Sequence, residues 1–237
     1  MIFGRKKQAD AVEETPDEAV LDETTDEPGE IVDDVAELDE DGGDLEPVDP
    51  RWDGPFDYEE VDLDDDEALR ISFGPLIVTP FEGVGLQLHG DETSGEVLAL
   101  LAVHEGSGLE VALFAAPTSG GLASELQEDT IDEAEHAGGS AGFAEGPFGP
   151  EVQRVMPMEG PEGEQLFHVS RIWMAEGPGW LLRGTLMGQA ATVEGEEPPA
   201  YDFVEFFRNI VVRRDNSPRV PGELITLAIP DGIAAEG

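Results

Sequence analysis

Residues 165–191 read QLFHVSRIWMAEGPGWLLRGTLMGQAA, and this stretch decides the fold. Two apolar runs flank Glu176-Gly177-Pro178-Gly179, a composition that makes a tight turn between two β-strands. Side chains alternate faces along a strand. With Gly177 and Pro178 centring the turn, Arg171 falls opposite Gly184 and Arg183 opposite Ile172. Phe167, Val169, Arg171 and Trp173 then share one face with Leu182 and Leu186. His168, Ser170, Ile172 and Met174 share the other with Arg183 and Met187. The ribbon holds two of the 3 tryptophans and two arginines inside apolar sequence. An arginine in a strand must keep its guanidinium wet or meet an acid. Arg171 and Arg183 therefore either lay their stems over the sheet and pair outward, or clamp an anion or carboxylate of a partner.

N-terminal to this ribbon the chain reads as more strand. Ile71 to Val78 is apolar but broken by Gly74-Pro75. Val84, Leu86 and Leu88 alternate with small or polar residues, the period of a half-buried strand. Val97–Val103 and Leu109–Ala116 flank the short link Glu105-Gly106-Ser107-Gly108, so residues 76–116 read as three or four antiparallel strands. Thr118 or Ser119 is placed to cap a helix in which Leu122, Leu126, Thr130, Ala134 and Ala137 recur at helical spacing until Gly138-Gly139. Short strands at Ser140–Glu145 and from Val152 bracket the rigid turn Gly146–Pro150.

C-terminal to the ribbon, Tyr201, Val204, Phe207 and Val211, with Phe203, Phe206 and Ile210 beside them, predict a second helix from Ala200 to Arg213. Its wide apolar face needs one face of a sheet to cover it. Leu224 to Pro230 alternates as a short last strand. The prediction is one α+β domain over residues 68–230, with a mainly antiparallel sheet, two principal helices and the hairpin at its centre. This order resembles the small α/β sandwiches of PsbP-like and Mog1-like domains, a likeness of architecture that leaves function open.

Before residue 68 the composition changes. The chain of 237 residues carries 55 acids against 12 bases, a net charge of −43. Roughly half of the acids lie between Asp10 and Glu67, where Arg51 is the only base. Residues 1–67 are predicted to be an acidic, mostly disordered tail, because so few apolar side chains cannot offset the ordering entropy. An aromatic strip at 51–58 interrupts it, and Trp52, Phe56 and Tyr58 are expected to dock on the folded domain. Residues 231–237 are predicted to be a disordered end.

The chemistry implied is sparse. With 0 cysteines there is no disulfide or thiolate site. His89, His104, His136 and His168 show no metal-ligand spacing, and Asp64 to Glu67 lacks the turn glycine and spaced ligands of a calcium loop. No nucleophile elbow, Walker or GxGxxG pattern occurs. The expectation is no enzyme activity, no cofactor and no metal. The N-terminus, MIFGRKKQADAVEE, lacks the apolar core of a signal peptide, and no run is long enough to span a bilayer, so a cytoplasmic location is expected. Arg208, Arg213, Arg214 and Arg219 form the one basic cluster. Nucleic acid needs such charge, but the acidic body disfavours it.

Several motifs together resemble a known family. GPFDYEEVD at 54–62, FAAPTSGG at 114–121, GPFGPEV at 146–152, GPGWLLRGTLMGQAA at 177–191 and FFRNIVVRRD at 206–215 look like an actinobacterial family of conserved proteins of unknown function, often encoded near dUTPase and a small OB-fold protein. The resemblance covers most of residues 50–230. It implies an actinobacterial cytoplasmic protein and supplies no catalytic residues. The leading functional expectation is a non-catalytic protein-interaction module that engages an unidentified protein partner through its sheet face or acidic tail. Arg171, Arg183, Arg213 and Arg214 are its candidate anion or partner contacts. The alternative is a nucleic-acid-associated accessory factor whose basic patch is autoinhibited by the tail, which would bind RNA or DNA more tightly once residues 8–66 are removed.

Overall fold

The computed structural model describes residues 51–63, 68–215 and 217–230. They lie in one compact unit, 46–237. Of the tail predicted over residues 1–67, residues 1–50 and 64–67 lie outside the described residues, as does the disordered end predicted at 231–237. The first elements are β1 (Phe56–Asp57), β2 (Ile71–Ser72), β3 (Leu76–Val78), β4 (Gly85–Gly90), β5 (Val97–His104) and β6 (Ser107–Ala115). Helix α1 (Leu122–His136) follows, then β7 (Ser140–Gly146), β8 (Gly149–Glu159), β9 (Gln165–Gly177) and β10 (Trp180–Gly188). Helix α2 (Tyr201–Arg208), β11 (Val211–Val212) and β12 (Leu224–Ile225) complete the chain. The class is α+β, with two helices and mainly antiparallel sheet.

The large sheet has the order β4-β5-β6-β10-β9-β8-β7, with β12 paired to β6. The hairpin β9–β10 therefore lies at its centre. A small sheet, β1-β11-β3-β2, is antiparallel except where β1 runs parallel to β11.

The hairpin turn is centred one residue later than the sequence suggests. Trp180 pairs with Gly177, so Pro178 and Gly179 occupy the central positions. Gly179 has φ +76, the value that the second central position of a type II turn requires, and proline suits the first. The shift moves each partner by two residues: Arg171 faces Leu186, and Arg183 faces Met174. A two-residue shift preserves parity, so the two faces stay as expected.

One face packs on the larger core. Trp173, Trp180, Leu182 and Leu186 meet Phe203, Phe206 and Phe207 of α2, all essentially inaccessible to solvent. Phe148, Trp173 and Phe207 form an aromatic trio with ring centroids 4.8–5.7 Å apart. Gly184 sits under this helix because a methyl there would lie 2.8 Å from the Phe207 ring. The helix is shorter than its apolar row implies. It ends at Arg208, and Val211–Val212 leave it to pair with β3 and β1. β-Branched residues suit that strand, and tertiary pairing overrides the helical periodicity.

The other face packs on α1. Leu122 of the helix joins Val152, Ile172, Met174 and Leu181 of the sheet, with Leu126 and Ile131 against them. The helix starts three to four residues beyond Thr118 and Ser119, and its N-terminus is capped from a distance. The Glu176 carboxylate accepts from the backbone N–H groups of Gly121, Leu122 and Ala123 at 3.1–3.2 Å. A carboxylate there satisfies orphan donors and complements the helix dipole.

Candidate functional site

Arg171 lies on β9 facing the larger core, with no solvent exposure. Its Nε and Nη2 donate to the two carboxylate oxygens of Glu151 at 2.7 and 2.8 Å. Its Nη1 donates to the carbonyls of Val193 and Gly195, each at 2.9 Å. Trp173 Nε1 donates to the same Glu151 carboxylate at 2.7 Å. Gly146 leaves room for this carboxylate, since a methyl there would stand 2.8 Å from Glu151 Oε2. The fork-to-fork pair therefore ties β8, β9 and the 193–195 loop together, and every donor nitrogen has an internal acceptor.

Arg183 lies on the opposite face. Register places Gln87, Leu101, Glu110, Thr185, Ile172 and Val152 in one row across six strands. Directly opposed residues share a face. Helix α1 packs on β7, β8 and β9, covering Val152 and Ile172. Towards β4 no helix of the described residues packs on the row, and Leu101, Val103 and Met187 are half-buried around Gly85 and Gly108. Arg183 lies at the border of the covered and open halves. Its guanidinium stands 5.0 Å from the Phe114 ring, and its buried Nε has no hydrogen-bond partner. Burial lowers its pKa; Glu110 opposes the shift, and the like charge of Arg154 adds to it. Arg154 Nε donates to Ser170 Oγ at 3.2 Å on the same face.

Arg213 and Arg214 follow β11 directly and divide two adjoining clefts. The first, about 410 Å³, is lined by Gly74, Pro75, Arg213, Arg214, Asp215, Arg219, Ile225 and Thr226. The second, about 360 Å³, shares Arg213, Arg214 and Asp215 and adds Asp57, Tyr58, Glu59, Glu60 and Pro178. Arg213 is steadied by Ser72 Oγ at 3.4 Å and the Gly74 carbonyl at 3.3 Å, with its guanidinium 5.7 Å from the Tyr58 ring. Arg208 and Arg219 are engaged by acids. Arg208 meets Asp53, Glu196 and Glu205, and Arg219 meets Asp215 and Glu223. Burial would lower the Arg208 pKa, but Glu196 and Glu205 outweigh it and the net shift is upward.

The aromatic strip divides by residue. Phe56 is half-buried, pairs with Val211, and its N–H donates to the Ile210 carbonyl at 3.0 Å. Tyr58 is half-exposed beside Arg213, and Trp52 is 74% exposed. The neighbouring Asp57 accepts from Trp180 Nε1 at 2.7 Å, and Arg51 stands 5.3 Å from the Trp180 ring. Residues 51–60 thus strap the end of the hairpin. Glu151 and Glu176 escape sequence reasoning because their partners are 20 or more positions away. A lone acid after Gly-Pro in an apolar strand was the available signal for Glu151.

The histidines are dispersed. His89 Nδ1 lies 2.9 Å from Glu110, and His104 Nε2 lies 3.5 Å from Asp202. Among the described residues no group of three or more His, Cys, Asp or Glu could hold a metal ion, and no helix is long and apolar enough to cross a membrane.

Two sheets and two helices define an α+β domain with an open half-face and an arginine-lined cleft. The chain belongs to the family described as proteins of unknown function, DUF3710, whose family model matches residues 54–236. No curated protein matches it.

Proposed function

We propose that the protein is a non-catalytic interaction module that takes an acidic amphipathic helix of a protein partner on the open half of its large sheet. The observation that carries this reading is Arg183. Its guanidinium sits at the edge of a half-buried apolar surface, and among the described residues no hydrogen bond or ion pair answers it. A partner carboxylate would satisfy the buried Nε with a charge-assisted bond. Leu101, Val103 and Met187 offer the apolar contact, with the Leu101 and Val103 side chains lying over Gly108 and Gly85. Helix α1 covers the other half of this face in the same way.

The test compares recovery from native-host lysate after nuclease treatment. The wild type is expected to retain one stoichiometric protein, and Leu101→Glu with Arg183→Gln to lose it at an unchanged melting temperature. Equal recovery by the variant contradicts the reading. Nuclease-sensitive recovery supports instead a nucleic-acid-associated factor. That alternative rests on Arg213 and Arg214, because carboxylates already hold Arg208 and Arg219. Its autoinhibition by the tail concerns residues outside those described.

A further inference from the structure

Arg214 is the exception among the described arginines of a strongly acidic chain. Arg51 pairs with Glu60, Arg171 with Glu151, Arg208 with Asp53, Glu196 and Glu205, and Arg219 with Asp215 and Glu223. Arg70 reaches the Leu63 carbonyl, Arg154 the Ser170 hydroxyl, and Arg213 the Gly74 carbonyl. Arg183 has an aromatic ring. Arg214 alone makes no hydrogen bond, ion pair or ring contact among the described residues, and its Nε is buried without a partner. Solvated acids are abundant in this sequence, 55 against 12 bases, so pairing was available in composition. Its side chain packs against the hairpin turn. Gly179 at the hairpin turn lies against the guanidinium, close enough that a methyl would come within 1.7 Å of Nη1.

The surroundings select the ligand. The cleft between Gly74 and Thr226 is lined by three arginines, Arg213, Arg214 and Arg219, against one acid, Asp215. Arg219 holds that carboxylate at 3.6 Å. The adjoining cleft sets four carboxylates, Asp57, Glu59, Glu60 and Asp215, against the same Arg213 and Arg214. The attraction is thus confined to one side of Arg214. Two guanidinium groups from adjacent residues suit an anion of double charge, since each fork binds two oxygens of a phosphate or carboxylate. Pro75 and the buried Ile225 supply an apolar floor, and Thr226 lies beside it. A cleft of about 410 Å³ has the size of a small-molecule site.

We infer that this cleft binds the phosphate group of a small organic phosphate ester, with Arg214 as the principal contact and Arg213 as the second. The site lies apart from the open sheet half and does not depend on it. Binding needs no chemistry: the ester is held by charge and by contact of its body with Pro75 and Ile225.

The experiment is calorimetric titration of the full chain at low ionic strength, where exposed charge is least screened. The probes are inorganic phosphate, a nucleoside 5′-monophosphate and a glutamate-rich peptide. The monophosphate is expected to bind more tightly than inorganic phosphate, and the peptide to bind least. Arg214→Gln is expected to weaken the monophosphate about tenfold or more, as loss of a charge-assisted contact does. Its melting temperature without ligand stays at the wild-type value, because the side chain holds nothing in the fold. Arg213→Gln gives an independent reading through the second guanidinium and weakens binding by a smaller factor. Preference for phosphate alone over the ester overturns the proposal, because the ester's body is then not held by Pro75 and Ile225. Tighter binding of the peptide, equal affinity in Arg214→Gln, or no heat with any probe at about 10 mM overturns it.

Discussion

The pocket around Arg171 and the cleft around Arg214 each hold a guanidinium between the hairpin and a loop, and they resolve it in opposite ways. Arg171 is wholly buried, and its donors meet Glu151 and the carbonyls of Val193 and Gly195. Arg214 is half-buried, faces a cleft, and has no partner among the described residues. Burial thus separates two jobs for one residue type. A buried charge with complete internal bonding specifies how strands and loop pack. A positioned charge with none is left for something outside the domain.

The largest effect is expected where the internal pair is broken. Glu151→Gln leaves the Arg171 charge buried without its counter-ion and is expected to destabilise the fold by about 3–5 kcal/mol in urea denaturation. Replacing both partners with apolar residues of similar volume, Arg171→Met with Glu151→Leu, should recover much of that loss, because a buried pair contributes little net of desolvation. Failure of the double variant to recover would show that the pair's bonds to Trp173 Nε1 and to the Val193 and Gly195 carbonyls matter more than the ion pair.

Glu176 comes next. Glu176→Gln reduces an acceptor of three N–H groups at the start of α1 and removes its charge there. A loss of about 1–2 kcal/mol is expected, with the helix fraying from Leu122 by amide exchange. Trp180→Phe keeps an aromatic ring in the core and removes the donor to Asp57. About 1–2 kcal/mol is expected from the lost bond and the smaller ring together, with faster exchange at residues 51–60.

The smallest effect is that of pH on the strap. Burial alone would raise the Glu60 pKa, but the Arg51 side chain and the Asp57 N–H lower it below its ordinary 4.5. Its contribution is therefore fully present above 4.5 and is lost as pH falls through the lower, folded value. Acid titration of wild type against Glu60→Gln should show the difference only below that range, in exchange at residues 51–60.

How far the sequence foretold this depends on range. The two faces of β9–β10 were legible because alternation fixes parity, and parity survived an error in the turn. The turn centre was not, since Glu-Gly-Pro-Gly offers two proline–glycine placements and only Gly179 takes the positive φ. The end of α2 was misread because Ile210 and Val211 continue its apolar row, while their partners Phe56 and Ile77 lie far off in sequence. The candidate residues Arg171 and Arg183 could be picked out as charges in apolar strands. Their different fates could not, because Glu151 comes from a neighbouring strand and the extent of α1 over the sheet is a tertiary fact. The cleft at Arg214 was visible only as a pair of arginines. Gly74, Pro75, Ile225 and Thr226, which shape it, are brought there by β3 and β12.

The contrast between the two guanidinium groups is tested most directly by urea denaturation of Arg214→Gln beside Glu151→Gln at neutral pH. Arg214→Gln is predicted to stay within about 0.5 kcal/mol of the wild type, as a side chain holding nothing should, while Glu151→Gln loses several. A loss in Arg214→Gln as large as that in Glu151→Gln would contradict the account and make both arginines parts of the fold.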